Sequence, residues 1–359
     1  MKFIYKTTFL LLFISSISFA NTDGKKHEKS KKISKQYTVS KDAKVAINNR
    51  YGNINITTWD KNRVEIDVVI TVKGDDLDKV EERLENIDVT FKASNSLVSA
   101  TTNFEKERKS WTWWRKSNKL NYKINYTVKM PKTNAVALNN DYGNIYLDEL
   151  FGTADINCDY GKIVVGDLNG SNNSINLDYC GRSTIDFIKN GDLNVDYSKI
   201  TVTKTEKIRV NTDYSSLKFE DVGTIDFNAD YGSISVDNVV NVSGNSDYTG
   251  MSFGTVAKNL KISTDYGSLQ IRRLEKGFDT VDIDGQYAGI KIGLEEGVSF
   301  NFEIDLQYAG FKRDNSNFNF YKSQSKSTRK YYEGKYGNGN SNSRIKIRSQ
   351  FGGVSIKEN

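Results

Sequence analysis

One unit, apolar-Asn-x-Asp-Tyr-Gly/Ser-x-apolar-x-apolar, recurs ten times in succession between residues 138 and 313 and constrains this chain more than anything else in it. The copies run from LNNDYGNIYL and INCDYGKIVV to IDGQYAGIKI and IDLQYAGFKR. Their tyrosines are Tyr142, Tyr160, Tyr179, Tyr197, Tyr214, Tyr231, Tyr248, Tyr266, Tyr287 and Tyr308, at intervals of 17 to 21 residues. Two outlying copies, INNRYGNINI around Tyr51 and IRSQFGGVSI around Phe351, match as well. A fixed period of this kind is the mark of a repeat architecture, in which no unit can bury its apolar face alone and stacking supplies the core.

With each tyrosine set to zero, apolar residues fall at −4 (Leu138, Ile156, Ile175, Leu193, Val210, Phe227, Ile262, Ile283, Ile304). They recur at +3 and +5 (Ile145 and Leu147, Ile163 and Val165, Ile200 and Val202, Leu217 and Phe219) and often at +8. Alternation by two is strand periodicity. The phase breaks after the tyrosine, so the bend is expected at the following Gly or Ser. Two short strands per unit of about 18 residues, stacked about 4.8 Å apart, give an all-β solenoid: a single-stranded parallel β-helix. The handedness of strand crossovers makes it right-handed. Helical repeats are excluded by the period, and the leucine-rich pattern is absent.

The rest of the chain is read around this body. Lys2 and Lys6, the apolar run Phe9 to Ile17 and Ser18-Phe19-Ala20 predict a signal peptide over 1–20, hence export to the periplasm or outer surface. No other run approaches membrane-spanning length. Residues 21–36, with six lysines and no apolar cluster, read as a basic disordered linker. Residues 37–131 read as an N-terminal β-rich cap. Val64 to Val72 and Leu120 to Met130 alternate as strands, and Leu77, Val80, Leu84 and Ile87 form one helical stripe behind an Asp75 or Asp76 N-cap. Pro131, the only proline, marks the junction with the coils at 132–311. Residues 312–344 read as a polar loop insertion, and 345–359 as a terminal coil that closes the end.

Composition excludes much chemistry. His27 is the only histidine, which removes Ser-His-Asp and Cys-His nucleophile systems and multi-histidine metal sites. A net charge of +6 without a nucleic-acid motif gives no reason to expect nucleic acid as a partner. Cys158 lies at −2 and Cys180 at +1. Those positions are three residues apart along a strand, roughly 10 Å, beyond disulfide reach, so both are expected as free thiols.

The organisation resembles the putative adhesin family of secreted β-strand-repeat proteins, a family of uncharacterised function related to head-GIN-type autotransporter adhesin domains. The residues that carry the resemblance are INNRYGNINITTWD, DDLDKVEERLENI, INYTVKMP and the DYGNIYL-type coils, in the form found in Bacteroidetes-type bacteria. The resemblance implies a β-helix in the cell envelope and brings no catalytic residues.

Three constellations are candidates for function. Asp141, Asp159, Asp178, Asp196, Asp213, Asp230, Asp247 and Asp265 share the −1 position. Ionised neighbours about 4.8 Å apart repel by ~1 kcal/mol in bulk water and by several times that at an effective dielectric near 20. Bound cations or local hydrogen bonds must offset this; if cations do, chelation lowers the melting temperature. The tyrosine column packs the coils or offers an aromatic track to sugars. The segment EKERKSWTWWRKSNK sets Trp111, Trp113 and Trp114 beside Arg115, a group suited to a glycan, an anionic membrane interface or a protein surface, or to packing in a hairpin. These four residues are the expected ligand site, and no cofactor is expected. The predicted function is a non-enzymatic envelope module, adhesin-like or structural, that binds a glycan or a surface protein. The alternatives are a polysaccharide-active β-helix enzyme, which needs a carboxylate pair distinct from the recurring acids, and an envelope-stress signalling partner.

Overall fold

A computed structural model describes residues 26–104, 120–314 and 317–358. They are nearly all strand, with a single helix among the described residues, Leu77–Glu85. The chain forms two compact units, Met1–Gly170 and Ser171–Asn359.

In the first unit, strand Lys44–Arg50 of the Tyr51 copy lies parallel to Ala135–Asp141, which lies parallel to Ala154–Asp159. On the second face Ile54–Trp59 pairs in parallel with Asn144–Leu150, and that strand with Lys162–Leu168. The Tyr51 copy is therefore the first step of the stack, although about ninety residues separate it in sequence from the next: Ile47 sits opposite Leu138. Its outer edges are covered by residues in between. Strand Leu97–Phe104 pairs with Lys44–Arg50, and Asn121–Pro131 with Ile54–Trp59. Asn121–Pro131 is antiparallel to Arg63–Gly74, and Ile87–Ala93 is antiparallel to Leu97–Phe104, so the sheet is mixed. The Asp76 side chain caps the helix at the Lys79 N–H, 3.4 Å away. Of the expected stripe, Val80 and Ile87 are buried, while Leu77 is exposed.

The expected linker is corrected from His27 onward. His27–Thr38 is a strand paired antiparallel along the whole of Arg63–Gly74. Composition misled because lysine stems can cover a sheet while their heads stay in water. Two of the heads also have an acid in reach: Lys29 with Glu81 at 3.0 Å and Lys32 with Asp67 at 3.1 Å. Lysines on an outermost strand also discourage pairing with other chains.

In the second unit successive copies, as far as the Tyr287 copy, pair in parallel at offsets equal to the tyrosine intervals. Leu193 lies opposite Val210, Val210 opposite Phe227, and Ile262 opposite Ile283. The residues at −4, +3, +5 and +8 form the core, with Phe219, Phe227 and Phe253 fully buried. Position −2 points inward too, occupied by Leu177, Val195 and Thr212. Strand pairing continues unbroken from Ser216 to Asp265, yet the chain bends within it at Tyr231 and Tyr248.

Two expectations at the end of the chain are corrected. Within 312–344, strands Phe318–Ser325 and Arg329–Tyr336 form an antiparallel hairpin that pairs with Phe300–Gln307. Its polar composition hid an aromatic contact: Phe318 and Phe320 meet Phe302 edge-on at 5.4 and 5.5 Å, and the Arg313 guanidinium lies 4.7 Å from the Phe320 ring. The terminal segment does not close the end. Strand Arg344–Gln350 lies between Thr280–Gln286 and Phe300–Gln307, parallel to both, and Val354–Glu358 lies between Gly289–Leu294 and Phe311–Arg313.

Candidate functional site

Every repeat tyrosine has a positive φ, between 49° and 64°, and Phe351 has 57°. The bend is thus made by the tyrosine itself, and the expectation that it falls on the next residue is corrected. A left-handed conformation costs an L-residue about 1–2 kcal/mol, so these aromatics are held there by their surroundings. The glycine that follows serves another purpose. A Cβ on Gly161 would lie 1.9 Å from the Gly143 carbonyl oxygen, and one on Gly143 would lie 1.8 Å from that of Gly52. Glycine is needed for close approach of one backbone to the next. Where the corner carries serine, as at Ser198 and Ser215, the hydroxyl takes a role in the ladder. Ser198 Oγ accepts the Cys180 N–H at 2.7 Å, and Ser215 Oγ accepts that of Ser198 at 3.0 Å.

This corner sends each ring outward and onto its neighbour. In the second unit nine rings stack in one column, in the order Tyr179, Tyr197, Tyr214, Tyr231, Tyr248, Tyr266, Tyr287, Phe351, Tyr308. Their centroids are 4.7 to 5.1 Å apart and their planes lie within 6° of parallel. In the first unit Tyr51, Tyr142 and Tyr160 stack in the same way at 5.2 and 5.0 Å. Apart from Tyr51, which is more covered, the rings remain roughly half exposed, from 42% for Phe351 to 55% for Tyr308. A sugar stacking on an aromatic needs an open ring face. Here each face along the column is covered by the next ring, so solvent meets ring edges and a row of phenol hydroxyls. Stacking and exposure hold together, and the column offers edges, not platforms.

Rows of polar groups flank it. The carboxylates at −1 follow the column, and the Asp213 N–H donates to Asp196 Oδ1 of the preceding repeat at 3.1 Å. Partial burial, and then the charges of Asp196 and Asp230, hold the Asp213 carboxyl above its ordinary pKa; Asp247 is raised in the same way by burial and by Asp230 and Asp265. The phenols of Tyr197, Tyr231 and Tyr266 are raised by desolvation and then by neighbouring tyrosines and aspartates. No group of three or more His, Cys, Asp or Glu suited to a metal ion occurs among the described residues. Further out, the −3 asparagines form an amide ladder, with Asn194 donating to Asn176 at 2.6 Å, Asn211 to Asn194 at 3.2 Å and Asn228 to Asn211 at 3.3 Å. A groove of about 580 Å³ runs along Tyr197, Tyr214 and Tyr231 and is also lined by Arg182, Lys199, Ser216 and Ser233.

Trp111, Trp113, Trp114 and Arg115 lie outside the described residues. The structure instead brings forward the groove beside the column. Its residues were visible in the sequence as the tyrosine and the +2 position, but nothing there marked +2 as lining one groove with the rings. Cys158 and Cys180 are both buried and are not joined in a disulfide. No helix among the described residues is long and apolar enough to cross a membrane.

The site defines a class: a nearly all-β repeat chain that displays an ordered aromatic column. No family model matches the sequence, and no curated protein matches it. Solved structures that it is similar to include a "putative cell adhesion protein" from Clostridium sporogenes, at 11% identity and TM-score 0.18, covering 92% of this chain and 100% of that one. A "putative lipid binding protein" from Parabacteroides distasonis gives 10% identity and TM-score 0.30 over 91% and 96%. A "putative adhesin" from Bacteroides fragilis gives 11% and 0.22 over 91% and 97%.

Proposed function

We propose that this chain is a non-enzymatic binding module, exported to the bacterial cell envelope and adhesive toward a glycan or a surface protein. Its body, on this reading, is a right-handed parallel β-helix, a reading supported by parallel registry at offsets of one repeat on consecutive strands. The observation that carries the function is the half-exposed column of nine rings with a groove along three of them, Tyr197, Tyr214 and Tyr231. Monomers seldom leave so much contiguous aromatic surface open without a use for it. Ring edges and phenol hydroxyls at one spacing, beside Lys199, Ser216 and Ser233, suit an extended polar ligand that runs parallel to the stack and hydrogen-bonds to successive steps. An enzyme would set a carboxylate pair apart from the rest. Here the acids recur from step to step, which speaks for architecture. The tryptophan group at Trp111, Trp113, Trp114 and Arg115 is proposed as a second contact with the same partner.

The test is binding of the purified mature protein to isolated envelope glycans and cell-surface fractions. A Lys199→Ala/Ser216→Ala/Ser233→Ala variant and a Trp111→Ala/Trp113→Ala/Trp114→Ala variant are run beside it. Saturable binding, weakened at least tenfold in the groove variant while its melting curve is unchanged, is the expected result. Equal binding by parent and groove variant removes the groove from the proposal. Turnover of any of these polysaccharides overturns the non-enzymatic reading.

A further inference from the structure

Two connectors of equal length lead to different outcomes. Glu275–Asp279 and Glu295–Ser299 make the same turn, with Gly277 at φ +76° and Gly297 at +72°. After the first, strand Thr280–Gln286 settles directly on Asn259–Asp265. After the second, Phe300–Gln307 stands one strand further away, and the gap holds Arg344–Gln350. Phe351 accordingly fills the place between Tyr287 and Tyr308 in the ring column, at 4.7 and 5.0 Å. One whole step of the stack is thus supplied by a segment that arrives from the far end of the chain.

The gap is selective. The inserted strand, RIKIRSQ, carries Arg344, Lys346 and Arg348, and both of its neighbours are acidic. Arg348 pairs with Asp284 at 3.0 Å on one side, and Lys346 with Glu303 at 3.3 Å on the other. Ile347 completes the core between Ile283 and Ile304, and Ile345 between Val281 and Phe302. Ser343 Oγ donates to the Phe278 carbonyl, and Glu358 accepts the Gly297 N–H at 3.0 Å. The bridge leading into this strand, Gly337–Ser343, consists only of Gly, Asn and Ser.

None of these contacts depends on which molecule supplies the strand. We infer that the gap is a strand-binding site, and that residues 344–358 of a second copy of this chain are its partner, so that two chains can exchange their C-terminal strands. Exchange keeps every contact that residues 344–358 make and alters only the bridge, Ser343 included. Within one chain the bridge holds the segment at an effective concentration of roughly millimolar, so closure on itself prevails in dilute solution and exchange grows with crowding. Tyr336 and Arg344 lie on opposite sides of the Phe300–Gln307 strand, opposite Phe300 and Asn301. The bridge therefore has to span about two strand spacings, roughly 10 Å. A direct peptide link gives about 3.8 Å and cannot close.

The experiment uses the full mature chain. Deletion of Gly337–Ser343 is expected to convert monomer to dimer, read by light scattering after size exclusion. Gln286 and Gln350 are partners across the gap. In a mixture of chains carrying Gln286→Cys and chains carrying Gln350→Cys, an intermolecular disulfide joins the two kinds when exchange occurs. With the parent bridge the same disulfide is expected to increase as refolding concentration rises from about 1 µM to about 1 mM. A deleted chain that is a folded monomer with 344–358 open to protease, the neighbouring repeats having closed directly, overturns the inference. So does a dimer without that disulfide, or a parent-bridge mixture that shows none at about 1 mM.

Discussion

Replacing Tyr214 separates the two forces that act at every corner. Tyr214 has φ +49°, is half exposed, and stacks at 5.1 Å on Tyr197 and 4.8 Å on Tyr231. Each ring pair contributes about 0.5–1.5 kcal/mol beyond area, so two contribute ~1–3 kcal/mol. That is enough to offset the ~1–2 kcal/mol of left-handed strain. Tyr214→Ala loses the contacts and keeps the strain; it is expected to destabilise by ~2 kcal/mol. Tyr214→Gly loses the same contacts but relieves the strain, less about 0.4–1 kcal/mol for the freer unfolded chain. It should therefore lie above the alanine variant by roughly 0.5–1 kcal/mol. With a urea slope near 3 kcal/mol/M, the alanine variant's midpoint falls by about 0.7 M and the glycine variant recovers about 0.2–0.3 M of it. Far-UV circular dichroism across a urea series, with slopes confirmed equal, measures both. Glycine no better than alanine would falsify the claim that ring stacking offsets backbone strain. An alanine variant as stable as the parent would show that the column contributes nothing.

Other outcomes follow from the same geometry. Gly143→Ala places a methyl group 1.8 Å from the Gly52 carbonyl oxygen and should cost ~1–3 kcal/mol in a urea melt; parental stability refutes the close-approach role. Asp213 and Asp247 have raised folded-state pKa values, so the stability they contribute is complete below the unfolded value of 3.8 and is lost as pH rises through the folded values. Asp213→Asn should accordingly raise the urea midpoint at pH 7 and leave it near the parent's below pH 3.5; the reverse order sinks the account in which burial, and then the neighbouring carboxylates, disfavour the charged form. The raised phenols of Tyr197, Tyr231 and Tyr266 lead to a parallel expectation at alkaline pH. Their stabilisation is present below pH 10 and lost as pH rises through their folded values, so absorbance at 295 nm should titrate later in the folded chain than in urea. Coincident titrations contradict it.

The stack was legible because burial imposes one residue type at each inward position: −4, +3 and +5 read directly as the core, and Leu138, Val210 and Phe227 are buried as read. The corner was not, for a physical reason. Glycine beside tyrosine invites the left-handed φ to be placed on glycine, whereas here a packed ring column holds tyrosine in it and the glycine answers a backbone clash. The strand at His27–Thr38 escaped notice because the acids that meet its lysines lie elsewhere in the fold, Asp67 on the paired strand and Glu81 on the helix, which composition cannot assign to it. The place of residues 344–358 was hidden as well. A repeat motif shows that a segment can join the stack, but not between which two steps. The acids at Asp284 and Glu303, met by Arg348 and Lys346, were the one available hint.

The uniform corner also bears on inheritance. Between Tyr179 and Tyr231 every step has the same strand register, the same ring contact and a spacing of 17 or 18 residues. A recombination between any two of the corresponding gene segments that keeps the reading frame adds or removes a whole step, and the new junction is one the backbone already makes. Length can therefore drift between lineages with little loss of fold. The distal part is different. The steps of Tyr287 and Tyr308 and the segment of Phe351 make sense only as a set, so a duplication or loss there breaks a three-part assembly. Lineages should vary in the number of middle steps and hold the last three together.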